Sequence, residues 1–148
     1  MNAVTIAHVS ELHLPYDPRL RPRQRFSKRQ LSVWSWHRRR HLQRAEILEA
    51  LVADLRQHAP DHIVITGDLV NFSLPEEFQL AARWLKTLAP VEHISVVPGN
   101  HDALVGLPDA AGLGLWAPWM RADDGWLSVH RRGPVALIGL RSAWPTSP

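Results

Sequence analysis

Three short segments of this 148-residue chain carry side chains that bind hard cations, and each follows an apolar run. Val97-Pro98-Gly99-Asn100-His101-Asp102 sets an amide, an imidazole and a carboxylate side by side. Ile63-Val64-Ile65-Thr66 runs into Gly67-Asp68, and Ile6-Ala7-His8-Val9-Ser10 runs into Glu11-Leu12-His13. Packing alone gives no reason to end three strands in this way. Oxygen and imidazole donors of these types suit a pair of divalent cations about 3.5–4 Å apart, gripping a phosphate between them.

The residue types suggest a division of labour. A short carboxylate on a rigid strand end is the natural bridge between two cations, and Asp68 fits, with Gly67 allowing close backbone approach. In extended geometry residues i and i+2 point the same way, so Glu11 and His13 are expected to face one ion together. Asn100 offers a neutral carbonyl oxygen to a second ion. His101 is placed to protonate a leaving oxygen or to stabilise phosphoryl charge. Asp102 is expected to orient His101 by accepting its other ring N–H. Each piece alone has an ordinary reading: surface polarity for Glu-Leu-His, a turn for Gly-Asp, a helix cap for Asn100 or Asp102. Only the ordered combination argues for a site. His8, His37, His41, His58, His62, His93 and His130 lack such company and are read as structural or exposed.

The elements that must hold these residues follow from periodicity. Residues 3–10 read as a strand; Pro15, Pro18 and Pro22 then impose a long loop. From about Phe26 the pattern is helical, with Leu42, Ala45, Leu48, Val52 and Leu55 in one stripe, ending near His58-Ala59 ahead of Pro60. Residues 62–66 form an apolar strand of the kind covered on both faces. Ser73-Leu74-Pro75-Glu76 resembles a capping box, opening a helix with Phe78, Ala81, Ala82, Leu85 and Leu88 on one face. Residues 93–97 make a third strand, 106–114 a loop, and 115–120 a short helix. Segments 126–130 and 135–140 read as an antiparallel hairpin joined at Arg132-Gly133-Pro134. Such alternation of strands and helices predicts a layered α/β fold. Ligands of open α/β sheets bind outside the carboxyl ends of the strands, where all three clusters fall.

Composition narrows the class. A hydrophobic fraction of 45% and a charged fraction of 21% are those of a globular domain. With no cysteine, disulfides and thiolate metal sites are excluded, leaving carboxylate, imidazole, amide and water as ligands. No signal-like segment and no membrane-length apolar run is found, so a cytoplasmic protein is the expectation. Between Arg19 and Arg44 there are ten Lys or Arg residues and no acidic ones. That block could contact nucleic acid, an anionic membrane or a phosphorylated substrate, or be a solvated helical face. Trp34 and Trp36 within it are read as packing anchors.

Taken together, Ser10-Glu11-Leu12-His13, Gly67-Asp68 and Gly99-Asn100-His101-Asp102 resemble the calcineurin-like metallophosphoesterase superfamily. Its pattern runs Asp-x-His, Gly-Asp, Gly-Asn-His-Asp, then a later His and Gly-His-x-His. The first three blocks are matched in order across residues 6–102. Thr66–Asn71 and the helix after it look most like the bacterial branch that includes cyclic-nucleotide phosphodiesterases. The resemblance implies a layered β-sandwich flanked by helices, here its N-terminal half only, in one incomplete domain over residues 1–148. It implies two divalent metal ions (Mn, Fe or Zn), His13 and Asp68 on the first, Asp68 and Asn100 on the second, and His101 as the catalytic histidine. The implied reaction is hydrolysis of a phosphomonoester or phosphodiester by a metal-bound hydroxide.

Two departures qualify that expectation. Glu11 stands where the family has Asp, and its extra methylene moves the carboxylate by roughly 1.5 Å, which predicts weaker binding of the first metal. After Asp102 no Gly-His-x-His follows, and His130 is the sole later histidine. The reading is therefore of a phosphoesterase domain truncated after its first half, without the C-terminal metal ligands. The alternative is a non-catalytic remnant or binding module that contacts an anionic partner through the basic 19–44 segment.

Overall fold

Three apolar runs pair as a parallel sheet. β1 (Ile6–Val9), β2 (His62–Ile65) and β3 (Ile94–Val96) lie in the order β1-β2-β3. Ile6 pairs with His62, and Ile63 with Ile94. The structure is a computed structural model, and it describes residues 3–18, 28–39, 45–120 and 127–145. Side chains alternate between the two faces of this sheet. Ile63, Ile65, Ile94 and Val96 join the main core, packed with Leu55, Phe78, Leu85, Leu88, Trp116 and Trp119 from the helical layer. His62, Ser95 and Val97 belong to the opposite face.

That opposite face is covered by a hairpin. β4 (Leu127–Arg132) and β5 (Val135–Leu140) pair antiparallel around Gly133, whose φ of 52° makes the tight turn. His130 of β4 lies over His62, ring centroids 5.4 Å apart, and His62 Nε2 is 3.0 Å from Ser95 Oγ. A side chain at Gly139 would meet Val97 Cγ2 at 2.9 Å, so β5 approaches the sheet closely there. The sheet is thus sandwiched between helices and hairpin, which accounts for a central strand buried on both sides. The layered α/β class expected from the alternation of elements is present.

Helices fill the described parts of the stretch expected to be helical and depart from the expectation at one cap. After Phe26 the structure describes α1 (Lys28–Arg39) and α2 (Ala45–His58); residues 19–27 and 40–44 of the basic segment lie outside the described residues. Helix α2 closes where Pro60 predicted, with Ala59 at φ 42° and its N–H bonded to Leu55 O at 3.0 Å. Helix α3 (Pro75–Leu88) buries Phe78, Ala81, Leu85 and Leu88 as its stripe requires, and Trp116 Nε1 donates to Phe78 O at 3.1 Å. The capping box, however, is one residue later than expected. Pro75 opens the helix, Glu77 reaches back to the Leu74 N–H at 2.9 Å, and Leu74 has no oxygen to return the bond. The hydroxyl of Ser73 is engaged elsewhere, donating to His101 O at 2.7 Å. The 106–114 loop contains 3-10 turns at Asp109–Ala111 and Leu113–Trp116, followed by the short helix α4 (Ala117–Met120). Among the described residues no helix is long and apolar enough to cross a membrane.

Candidate metal centre

Chain segments leaving β1, β2 and β3 meet at the carboxyl edge of the sheet. After β1 the backbone runs beside the 67–69 segment: Glu11 N donates to Gly67 O at 3.3 Å, His13 N to Asp68 O at 2.8 Å and Leu14 N to Leu69 O at 2.9 Å. Glu11 (φ 56°) and His13 (φ 40°) are in the left-handed region. The expected strand alternation therefore does not operate here. The two side chains meet because a turn brings them together, with Glu11 Oε2 3.2 Å from His13 Nε2. Asp68 (φ 56°) and Ser73 (φ 52°) share this conformation, which costs non-glycine residues roughly 1–3 kcal/mol each and clusters at functional sites.

Gly67 has a packing role that the sequence did not announce. At φ 97° a side chain there would collide with the backbone of Gly99, and one at Gly99 would collide with the Asp68 carboxylate. The two glycines let the second and third loops touch each other, which is what brings Asp68 to the Asn100-His101 segment. One Asp68 oxygen accepts the His101 backbone N–H at 2.8 Å.

Asp102 is buried beneath this junction and does not orient the His101 ring. Its Oδ2 accepts from Asp68 N at 2.7 Å and Gly99 N at 2.9 Å, and its Oδ1 from Val70 N at 3.0 Å. Both oxygens are directed at backbone, so Asp102 ties the second loop to the third. Burial pushes its carboxyl up to about 6, the N–H bonds opposing that rise. The ring of His101 is oriented instead by the Asn71 carbonyl, 2.9 Å from Nδ1. His13 follows the same design, with Nδ1 3.2 Å from Val70 O. Consecutive carbonyls of one loop thus hold both imidazoles, and the rings stand edge-on with centroids 4.9 Å apart.

These bonds fix which nitrogens face the site. A carbonyl only accepts, so each Nδ1 carries a proton and each Nε2 is left for the interior of the cluster. Ligand atoms of His13, Asp68 and His101 lie within 4.8 Å of one another. His13 Nε2, a lone pair in the neutral ring, faces the Glu11 carboxylate. Two acceptors 3.2 Å apart need a proton or a cation between them. Donors bound to one ion at about 2.0–2.2 Å stand about 3 Å from each other, so this pair fits a divalent cation. Asn100 is exposed and lines a neighbouring hollow with Glu11 and Asp68. Glu11 also lines a larger cleft of about 920 Å³ with His13, His101, Trp36, Leu48 and Phe72.

Residues 4–140 match the profile of the calcineurin-like phosphoesterases. The chain belongs to that family. A curated relative, a glycerophosphodiester phosphodiesterase of Enterobacter lignolyticus (strain SCF1), is 44% identical over 43 residues. That match takes in 29% of this chain and 15% of the relative. The family works with a pair of metal ions, and the His13, Asp68 and His101 cluster supplies donors of the kind such a pair requires.

Reading the sequence missed three residues that shape this candidate site. Glu77 accepts the N–H groups of Asn71, Phe72 and Leu74. Arg29 of α1 donates to Phe72 O and Ser73 O. Asn71 supplies the carbonyl for His101 and also donates from Nδ2 to Leu14 O at 3.2 Å. A signal existed for Glu77: with Pro75 as the first helical residue, position 77 is the one that reaches back to the cap. None existed for Arg29, which sits in a run that reads as a solvated basic face. Trp36 does pack as expected, edge-on to Phe72 at 6.1 Å, whereas Trp34 is exposed.

Proposed function

We propose that this chain carries the phosphate-gripping residues of a hydrolase that cleaves a phosphomonoester or phosphodiester with divalent metal ions. The observation that supports it most is the meeting of His13, Asp68 and His101 at the sheet edge, with His13 Nε2 facing the Glu11 carboxylate. Glu11, His13 and Asp68 would hold one cation, and Asp68 with Asn100 the other. Mn, Fe or Zn suits these donors, and when bound the ions supply charge neutralisation and an activated water. His101, with Nδ1–H fixed by Asn71 O, presents Nε2 to the leaving oxygen. Once Nε2 has taken up a proton from water, the imidazolium gives that proton to the leaving oxygen and returns to the Nδ1–H tautomer. The organic part of the substrate lies along Trp36 and Leu48 in the adjoining cleft. A relative named as a glycerophosphodiester phosphodiesterase makes diesters the first substrates to test.

The test is hydrolysis of an aryl phosphodiester and an aryl phosphomonoester by the purified chain with added Mn. Activity that disappears on chelation, and falls at least about 1,000-fold in Asp68→Ala, is the expected result. The rival reading is a non-catalytic module that contacts an anionic partner through the basic segment. Arg29 of that segment is turned inward, and its guanidinium donates to Phe72 O and Ser73 O. Steeply salt-dependent binding to nucleic acid or anionic vesicles, with no hydrolysis, would favour the rival.

A further inference from the structure

Two buried charged side chains act on the site through a single loop without belonging to the donor cluster. Glu77, 3% exposed, accepts from Asn71 N at 2.8 Å, Phe72 N at 3.0 Å and Leu74 N at 2.9 Å. Arg29, 6% exposed, donates from Nε to Phe72 O at 2.9 Å and from Nη2 to Ser73 O at 2.6 Å. The carboxylate therefore takes the amides of residues 71, 72 and 74, and the guanidinium takes the carbonyls of 72 and 73. These groups belong to irregular backbone with no strand to pair against, so without the two charges they would be buried unpaired. The charges also attract each other.

The loop so held touches His101 at two points. Asn71 O meets the ring at Nδ1, and Ser73 Oγ donates to His101 O at 2.7 Å while accepting from Leu104 N at 3.1 Å. Ser73 keeps its left-handed φ of 52° only while its neighbours are pinned. Rotation of the 71–72 peptide would remove the ring's acceptor and free both its tautomer and its orientation.

We propose that Glu77 and Arg29 are positioning residues for His101: by clamping the 71–74 backbone they hold its ring as the Nδ1–H tautomer, with Nε2 turned toward His13 and Asp68. The consequence for turnover rests on the phosphoesterase reading above. The consequence for the tautomer does not. Partners of this kind that orient a site histidine are typically worth 10–100-fold in activity.

The test reads both. In the metal-free, ¹⁵N-labelled full chain at pH 8, imidazole NMR should show His101 protonated at Nδ1, its signals assigned through His101→Gln. Glu77→Gln and Arg29→Met should move it toward the Nε2–H form, while the remote His62 signals stay in place. Loaded with Mn, both variants should lose about 10–100-fold in kcat with KM changed by less than about 3-fold. Arg29→Lys, which keeps a cation but not the fork, should recover part of the loss. Leu88→Ala, at the far end of α3, should lower the melting temperature without moving tautomer or kcat. If Glu77→Gln does not fold, the wild-type tautomer and the two Arg29 variants decide the matter. A wild-type His101 protonated at Nε2, or variants with unchanged tautomer and kcat, would overturn the proposal. Tautomer shifts in a chain that hydrolyses nothing would support the clamp and sink only the phosphoesterase reading.

Discussion

The hairpin from Leu127 to Leu140 pairs its backbone strand to strand, six residues of β4 against six of β5. The segment from Asp68 to Glu77 has no strand partner. Its amides at 68 and 70 go to Asp102, those at 71, 72 and 74 go to Glu77, and its carbonyls at 70 and 71 hold the two site histidines. In the hairpin each bond is one of a regular series, and the outward side chains are free to vary; Leu127, Val129, Ile138 and Leu140 are all more than two-fifths exposed. In the loop, several bonds hang on each side chain. Regular pairing gives tolerance, whereas side-chain-dependent pairing gives geometry that strands and helices cannot offer.

The sharpest way to break this contrast is Asp102→Ala. It strands three buried N–H groups, at about 1–3 kcal/mol each, so a loss of at least about 3 kcal/mol is expected in urea unfolding. A loss below about 1 kcal/mol would show that the loop does not depend on this carboxylate. Next in size is a pH effect at the same residue. Burial raises the Asp102 carboxyl from its ordinary 3.8 to about 6, so the metal-free folded chain binds this proton more tightly than the unfolded chain. The stabilisation is full below about 3.8 and is lost as pH climbs through about 6. The stability advantage of the native chain over Asp102→Asn should therefore shrink between pH 4 and pH 7, by up to about 3 kcal/mol. An advantage that grows with pH would reverse the sign and refute the assignment.

How far the sequence spoke depended on the range of the interaction. The parallel strands and the buried stripe of α3 were legible because burial imposes a period, and Phe78, Ala81, Leu85 and Leu88 keep it. The candidate donors Glu11, His13, Asp68, Asn100 and His101 were legible as residue types at strand ends. What joins them was not. Asp102 follows His101 and invites a pairing between neighbours, yet the turn sends its carboxylate to the amides of Asp68, Gly99 and Val70. Arg29 finds its carbonyls across the fold, and no local pattern marks such a contact. The left-handed turns at Glu11 and His13 were hidden for a similar reason, since Glu rarely adopts that conformation and His, though enriched there, does so in only a small minority of cases.

Those turns alter what Glu11 is expected to do. Sequence alone suggests that its extra length weakens the first metal. In the fold its carboxylate uses that length to come within 3.2 Å of His13 Nε2. Glu11→Asp should withdraw the oxygen by about 1.5 Å and weaken Mn binding about 10-fold in a calorimetric titration. Tighter binding by the Asp variant would restore the expectation drawn from the family pattern. The smallest effect belongs to the hairpin. Ile138→Thr on its exposed face should change stability by no more than about 0.5 kcal/mol and leave Mn affinity unaltered. A larger loss would mean that the outer face of the hairpin is not a tolerant surface.

The alternation of partners along residues 68–77 has one further consequence, for insertions and deletions. Asp102, His13, His101, Glu77 and Arg29 each read a particular amide or carbonyl, and successive positions serve different partners. One residue added between Asp68 and Glu77 would put every later group out of phase with its partner at once. One added at the Gly133-Pro134 turn would lengthen a hairpin tip and disturb nothing else. Side chains along 68–77 can change one at a time, but its length can change only if the whole set of partners is rebuilt.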